Sequence, residues 1–307
     1  MSESRHNPDQ LSKEIQADEE KRNKGHLKIF FGYAAGVGKT YAMLEAAHME
    51  KQQGIDVVAG YVEPHAHPKT AALLNGLEVL PTREVFYNGM MLDEFDIGMA
   101  LKRKPQLILV DELAHTNAEG CRHAKRYQDI KELLNAGIDV YTTVNVQHIE
   151  SLCDTVASIT EIIVRERIPD SIFDNADQVE LIDIEPQDLI NRLNTGNVYR
   201  QTQEKQAVEN FFTIENLTAL RKISLRRCAD RVNILTENTR IKNHGDYHTG
   251  EHILVCLSSS PSNAKIIRTA AKMASAFKGE FTALFVETPD FSEMSEENVK
   301  QLRSNIC

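Results

Sequence analysis

Several things are missing from this 307-residue chain, and each absence narrows what it can be. Tryptophan is absent. The five cysteines, Cys121, Cys153, Cys228, Cys256 and Cys307, include no Cys-x-x-Cys pair. That argues against both a disulfide framework and a zinc knuckle, and it suits reduced thiols in a cytoplasm. No apolar run reaches the eighteen or so residues a membrane span needs. The polar, charged N-terminus has no signal-peptide apolar core. Positive charge is in deficit: 35 Lys and Arg against 45 Asp and Glu leave a net charge of −10, which speaks against nucleic acid as a partner. What remains, 41% hydrophobic and 26% charged, reads as a globular chain long enough for one large or two medium domains.

The most informative stretch is Gly32-Tyr33-Ala34-Ala35-Gly36-Val37-Gly38-Lys39-Thr40. A β-favouring run, Leu27 to Phe31, precedes it, and a helix-forming run, Tyr41 to Gln53, follows. Strand, glycine-rich turn, Lys-Thr and helix together make a phosphate-binding loop. The curled backbone points successive N–H groups inward as an anion nest, and the helix adds its positive end. Lys39 then reaches the outer phosphates of ATP, and the Thr40 hydroxyl ligates Mg²⁺. One departure is visible. The position six before the lysine, usually glycine, is Tyr33, and Gly32 stands one residue earlier.

Leu107-Ile-Leu-Val110-Asp111-Glu112 is the second motif. An uninterrupted aliphatic run suits a strand buried on both faces. Its final acids belong at the sheet edge beside the phosphate loop, with Asp111 holding Mg²⁺ and Glu112 polarising a water. The strand Asp139 to Val144 opens into Asn145-Val-Gln147-His148, a polar cluster suited to sensing a terminal phosphate. Five histidines, His65, His67, His115, His123 and His148, also raise a metal site, but only His65-x-His67 has ligand-like spacing and cysteine partners are missing.

The remaining pattern alternates strands and helices. Strands are expected over Asp56–Val62, Glu84–Tyr87, Glu161–Arg165 and Gln178–Asp183. Helices are expected over Lys69–Leu77, Leu92–Lys102, Tyr127–Ala136, Pro186–Asn194 and Gln203–Asn238. This predicts an α/β fold: a P-loop NTPase-like, mostly parallel sheet with helices on both faces. The expected organisation is a charged arm over 1–25, an ATP-binding domain over 26–235, a polar linker over 236–250, and the start of a second α/β domain over 251–307. In that last piece the strand His252–Leu257, the helix Ser262–Phe277 and the strand Phe281–Val286 form a βαβ unit. It is too small to cover a parallel sheet on both faces, so it reads as a fragment of a larger domain.

Taken in order, Phe30 to Leu44, Gly60-Tyr-Val-Glu-Pro-His65, Val110-Asp-Glu-Leu-Ala-His-Thr-Asn117, Arg122-His123 and Gly137 to His148 closely resemble the N-terminal cytoplasmic region of the KdpD family of osmosensitive potassium-channel sensor histidine kinases. The resemblance covers about Leu11 to Val232. Residues Glu251 to Pro289 resemble the start of a universal-stress-protein domain. The resemblance implies an input module that binds ATP and tunes the kinase and phosphatase activities controlling potassium uptake. It also implies a membrane-anchored parent in the plasma membrane, with a histidine kinase core and a response regulator as partners. No His-Glu/Asp-x-x-x-Pro phospho-acceptor box occurs here, so the chain is expected to lack the output half.

Some members bind cyclic di-AMP through Ser-x-Ser, twenty residues, and Phe-Thr-Ala-x-Tyr. Here Ser258-Ser-Ser260 precedes Phe281-Thr282-Ala283-Leu-Phe285 at that spacing, with Phe285 in place of the tyrosine. His67 stands where relatives often carry arginine. Two alternatives to a purely regulatory module remain open: a P-loop ATPase or small-molecule kinase in its own right, and a cyclic di-AMP receptor.

Overall fold

The computed structural model describes residues 24–63, 68–87, 89–195, 211–243, 252–258, 260, 263–277 and 280–286. The N-terminal arm up to residue 23, His65, His67 and the stretch 244–251 lie outside these residues. In chain order the elements are β1 (Leu27–Gly32), α1 (Lys39–Gln52), β2 (Val57–Tyr61), α2 (Pro68–Ala72), β3 (Glu78–Val79), β4 (Arg83–Tyr87), β5 (Met90–Glu94), α3 (Ile97–Arg103), β6 (Leu107–Val110), α4 (Arg126–Asn135) and β7 (Asp139–Asn145). They continue with α5 (Cys153–Thr160), α6 (Asp170–Asp174), β8 (Gln178–Leu181), α7 (Pro186–Thr195), α8 (Ile214–Asn243), β9 (His252–Cys256), α9 (Asn263–Phe277) and β10 (Glu280–Leu284). Two compact units divide the chain, Met1–Cys228 and Ala229–Cys307.

The first unit is built on a six-stranded sheet in the order β3-β2-β6-β7-β1-β8, in which every described pairing is parallel. Its aliphatic strands alternate between two apolar layers, as the period of two requires. On β1, Ile29 and Phe31 enter one layer while Phe30 enters the other. On β6, Ile108 and Val110 oppose Leu107 and Leu109 in the same way. Met43, Leu44, Ala46 and Ala47 of α1 cover one face. Ile97 of α3, Ile130 and Leu133 of α4, Leu189 of α7 and Leu217 and Leu220 of α8 cover the other. Helices therefore lie on both faces, as the uninterrupted apolar strands demand.

Four expectations need correction. The stretch expected as a helix over Leu92–Lys102 begins as a strand: β4 and β5 form an antiparallel hairpin, with Phe86 opposite Met91. The helix starts only at Ile97, where the Asp96 side chain accepts the Met99 N–H at 3.0 Å and caps its first turn. The strand expected over Glu161–Arg165 is not formed. Glu161 ends α5 in the left-handed region, with φ of 59° and its N–H on Ala157 O, and Ile163 stays exposed. Of the helix expected over Gln203–Asn238, residues 203–210 lie outside the described residues; α8 begins only at Ile214, after a break at Phe212 and Thr213, and continues to Asn243, into the stretch read as linker. The helix beginning near Lys69 is also shorter than expected and is confined to Pro68–Ala72.

In the second unit β9 and β10 pair in parallel, from His252 opposite Glu280 to Cys256 opposite Leu284, and α9 connects them. Val255, Ala270 and Ala274 are buried. This is the expected βαβ arrangement.

Candidate functional site

The site is assembled at the carboxyl ends of the parallel strands, where open α/β sheets carry their ligands. Gly32 at the end of β1 sits opposite Asn145 at the end of β7. The turn after β1 passes through Gly36 (φ 85°) and Gly38 (φ 109°) before α1 begins at Lys39. These left-handed values would strain any other residue. Crowding fixes Gly36 as well: an added β-carbon would lie 3.1 Å from Leu189 and 3.3 Å from Leu193 of α7. Tyr33, the residue out of pattern, is fully buried in the core. Its hydroxyl donates to Ile184 O at 3.1 Å, and burial pushes it up to about 12. Its side chain thus anchors the loop to the stretch between β8 and α7.

Lys39 is only 8% exposed and donates through Nζ to Ala34 O at 3.1 Å. Burial lowers it to about 8, against the pull of Asp111 and Glu112. Asp111 is also buried. The Thr40 hydroxyl donates to its Oδ2 at 3.0 Å. Thr143 on β7 donates to Oδ1, and so does the Glu112 N–H at 3.1 Å. A hydroxyl and a carboxylate held together are the hard oxygen donors that Mg²⁺ takes. One strand, β7, lies between β1 and the acid-bearing β6, yet the Thr40–Asp111 contact is direct. Thr143 on that intervening strand is a site residue that no motif announced.

Among the described residues, Glu112 is the only non-glycine residue at this edge with positive φ, 59°. Solvent reaches 45% of its side chain. Local desolvation, then the nearby Glu63 and Asp111, push its carboxyl up to about 7, while Arg126 and His115 pull it down. Behind the acid pair Arg126 is fully buried. It binds Glu94 at 3.0 Å and Asp111 O at 3.3 Å, and its guanidinium stacks 4.1 Å from the Tyr61 ring centre. Burial pushes the Glu94 carboxyl up, but hydrogen bonds from His115 and Ala118 outweigh it and hold the group below its usual range.

The polar cluster after β7 divides. Asn145 Oδ1 and Gln147 Oε1 are buried without a hydrogen-bond partner, two acceptors left open beside the loop. His148 instead bonds to Glu166 O at 2.8 Å through Nδ1, and burial lowers its proton affinity. His115 meets Glu94 and His123 meets Glu132. His115 also lies 3.9 Å from the Glu166 carboxylate, yet among the described residues no three His, Cys, Asp or Glu groups could share a metal ion.

In the second unit, Ser258 and Ser260 follow β9, and Phe281, Thr282 and Ala283 lie on the adjacent β10. Ser258 Oγ accepts from Ser260 N and Asn263 Nδ2, both at 3.2 Å, and His252 meets the Thr282 hydroxyl at 2.8 Å. Phe285 lies just past the end of β10.

Comparison with known proteins places this geometry in context. The family model described as KdpD, osmosensitive K+ channel His kinase sensor domain, matches residues 23–232. The chain is 56% identical over 287 residues to a Sensor protein KdpD of Clostridium acetobutylicum, an overlap covering 92% of this chain and 32% of that protein. It is 48% identical over 307 residues to the Sensor protein KdpD of Escherichia coli K12, covering 98% and 34%. A Putative sensor protein KdpD of Synechocystis is 46% identical over 263 residues, covering 86% and 70%. The chain spans about a third of the length of the first two relatives.

Proposed function

The chain belongs to the KdpD family of osmosensitive K+ channel His kinase sensor domains, and on that premise we propose that it is an ATP-binding regulatory input module. Mg²⁺ and ATP are its cofactors. The Gly36–Thr40 turn and the backbone from Gly32 to Ala35 cradle the phosphates. Lys39 neutralises them, Thr40 and Asp111 hold the metal, and Asn145 and Gln147 report the terminal phosphate. The observation that carries this reading is the 3.0 Å contact between the Thr40 hydroxyl and the buried Asp111 carboxylate, with Lys39 on the same turn. The occupied state is passed to a histidine kinase core and response regulator that control potassium uptake, and the module works on the cytoplasmic side of a membrane-anchored parent. Among the described residues no helix is long and apolar enough to cross a membrane.

Calorimetric titration of the intact chain with Mg·ATP tests this. Binding that disappears in Lys39→Ala, with an unchanged far-ultraviolet spectrum, is the expected result. Binding that survives unaltered rejects the assignment.

The near-neutral Glu112 carboxyl favours a second reading, slow hydrolysis or phosphoryl transfer by the same site. Phosphate release near the ordinary enzymatic scale of ~1 to 10³ per second would establish it over a purely regulatory role. The parallel pairing of β9 with β10 supports a third. It sets the Ser258–Ser260 turn on the strand beside Phe281, the arrangement a universal-stress-protein-like cyclic di-AMP receptor would use. Calorimetry comparing the intact chain with Ser258→Ala/Ser260→Ala decides that one.

A further inference from the structure

A nucleoside triphosphate brings more negative charge than one Mg²⁺ and one lysine neutralise, and the acids at this edge (Glu63, Asp111 and Glu112) add to the excess. A second cation is therefore needed where the phosphates lie. Arg126 does not fill the need. It is fully buried behind the acid pair, and Glu94, the Asp111 carbonyl and the Tyr61 ring already occupy it. The front of the loop is covered by α7. Leu189 and Leu193 of this helix, one turn apart, lie 3.1 and 3.3 Å from where a Gly36 β-carbon would be. Arg192 stands in the same last turn. Its Nη1 is 3.9 Å from the position a Gly38 β-carbon would take, next to Lys39, and its side chain is exposed. The left-handed φ of 109° keeps Gly38 bare, and the approach of Arg192 brings a planar, permanently charged group to the glycines of the anion nest.

We propose that Arg192 contacts the polyphosphate held on Gly36–Thr40 and supplies, within the same chain, the second cation of the nucleotide site. This rests on the nucleotide reading above. Because α7 follows β8, on the opposite side of β1 from the acid-bearing β6, the phosphates would be gripped from both flanks. Arg192 comes from one side, and Asp111 with its metal from the other.

The test is calorimetric titration of the intact chain with Mg·ATP, Mg·ADP and AMP, for the unaltered protein, Lys39→Ala, Arg192→Ala, Arg192→Gln and Arg192→Lys. Charge-assisted hydrogen bonds predict a loss of about ten- to a hundredfold in Mg·ATP affinity for Arg192→Ala and Arg192→Gln. The loss should be smaller for Mg·ADP and absent for AMP, with partial recovery in Arg192→Lys. An unmoved urea midpoint in Arg192→Gln accompanies this outcome. Equal losses for all three nucleotides together with a lowered urea midpoint assign Arg192 to helix packing and overturn the proposal. Mg·ATP affinity within twofold of the unaltered protein, while Lys39→Ala no longer binds, overturns it and leaves the nucleotide reading standing. If the intact chain binds no Mg·ATP, or Lys39→Ala binds it equally well, the nucleotide reading falls and the proposal falls with it.

Discussion

At the scale of single residues the site is defined by what is buried. Lys39 is taken out of water beside two carboxylates, and its ammonium loses its proton near pH 8 instead of at its usual value of 10.5. Between those two values the unfolded chain holds more protons at this residue than the folded one, so raising the pH through that window favours the folded state. Nucleotide binding runs the other way, because phosphates need the charged form. Mg·ATP affinity is therefore expected to weaken as pH rises above about 8, by up to tenfold per pH unit. Titrations between pH 7 and 9.5 will show this slope, and any nucleotide binding left in Lys39→Ala should lack it. Asp111 makes the complementary case. It is buried and accepts from Thr40, Thr143 and the Glu112 amide. Removing one donor leaves part of a buried charge unsatisfied. Thr143→Ala is expected to lower stability by about 1–3 kcal/mol and to raise the Mg²⁺ concentration needed for ATP binding, measured by urea denaturation and by Mg²⁺-dependent titration.

At the scale of elements, local pattern and long-range pairing separate what could be read from the chain. The strands β1, β6 and β7 were legible because each is rich in aliphatic, aromatic and β-branched residues and leads straight into glycine-rich or polar, chemistry-bearing positions. The turn between β1 and α1 was legible because its glycines and Lys-Thr sit at fixed offsets. Thr143 and Arg126 were not, since each acquires its role only by meeting Asp111 across 32 and 15 residues of chain. The hairpin β4–β5 was missed because Met91 and Leu92 favour helix as readily as strand. Only the pairing of Phe86 with Met91 and the Asp96 cap decide the matter. Replacing that cap, Asp96→Ala, is expected to cost about 1 kcal/mol. The apolar Ile162-Ile163-Val164 run suggested a strand, but Glu161 before it closes α5 in the left-handed region and Ile163 stays exposed. A glycine at that position would relieve the steric conflict at the cost of some chain entropy. Glu161→Gly should therefore stabilise the protein by up to about 1 kcal/mol, seen as a higher urea midpoint. Unchanged or lower stability would show that the Glu161 side chain contributes more than its backbone costs.

At the scale of the molecule, the parallel sheet is what makes a site out of distant pieces of sequence. Parallel strands all end at one edge, so Gly32, Asp111, Thr143 and Asn145 converge there although the chain visits them in widely separated passes. No subset of these passes forms the site alone, and a ligand held there binds the folded first unit and not the unfolded chain. Saturation at a hundred times the dissociation constant then contributes about 2.7 kcal/mol to folding. That stabilisation belongs to the cooperative unit and not to the loop alone. Hydrogen exchange with and without Mg·ATP will separate the two. The expected result is slower exchange in α1 and at the carboxyl ends of β1, β6 and β7, with no change in β9 and β10, which belong to the second unit. Protection limited to residues 32–40 would mean that the strand tips do not act together, and the acid pair on β6 would lose its place in the site.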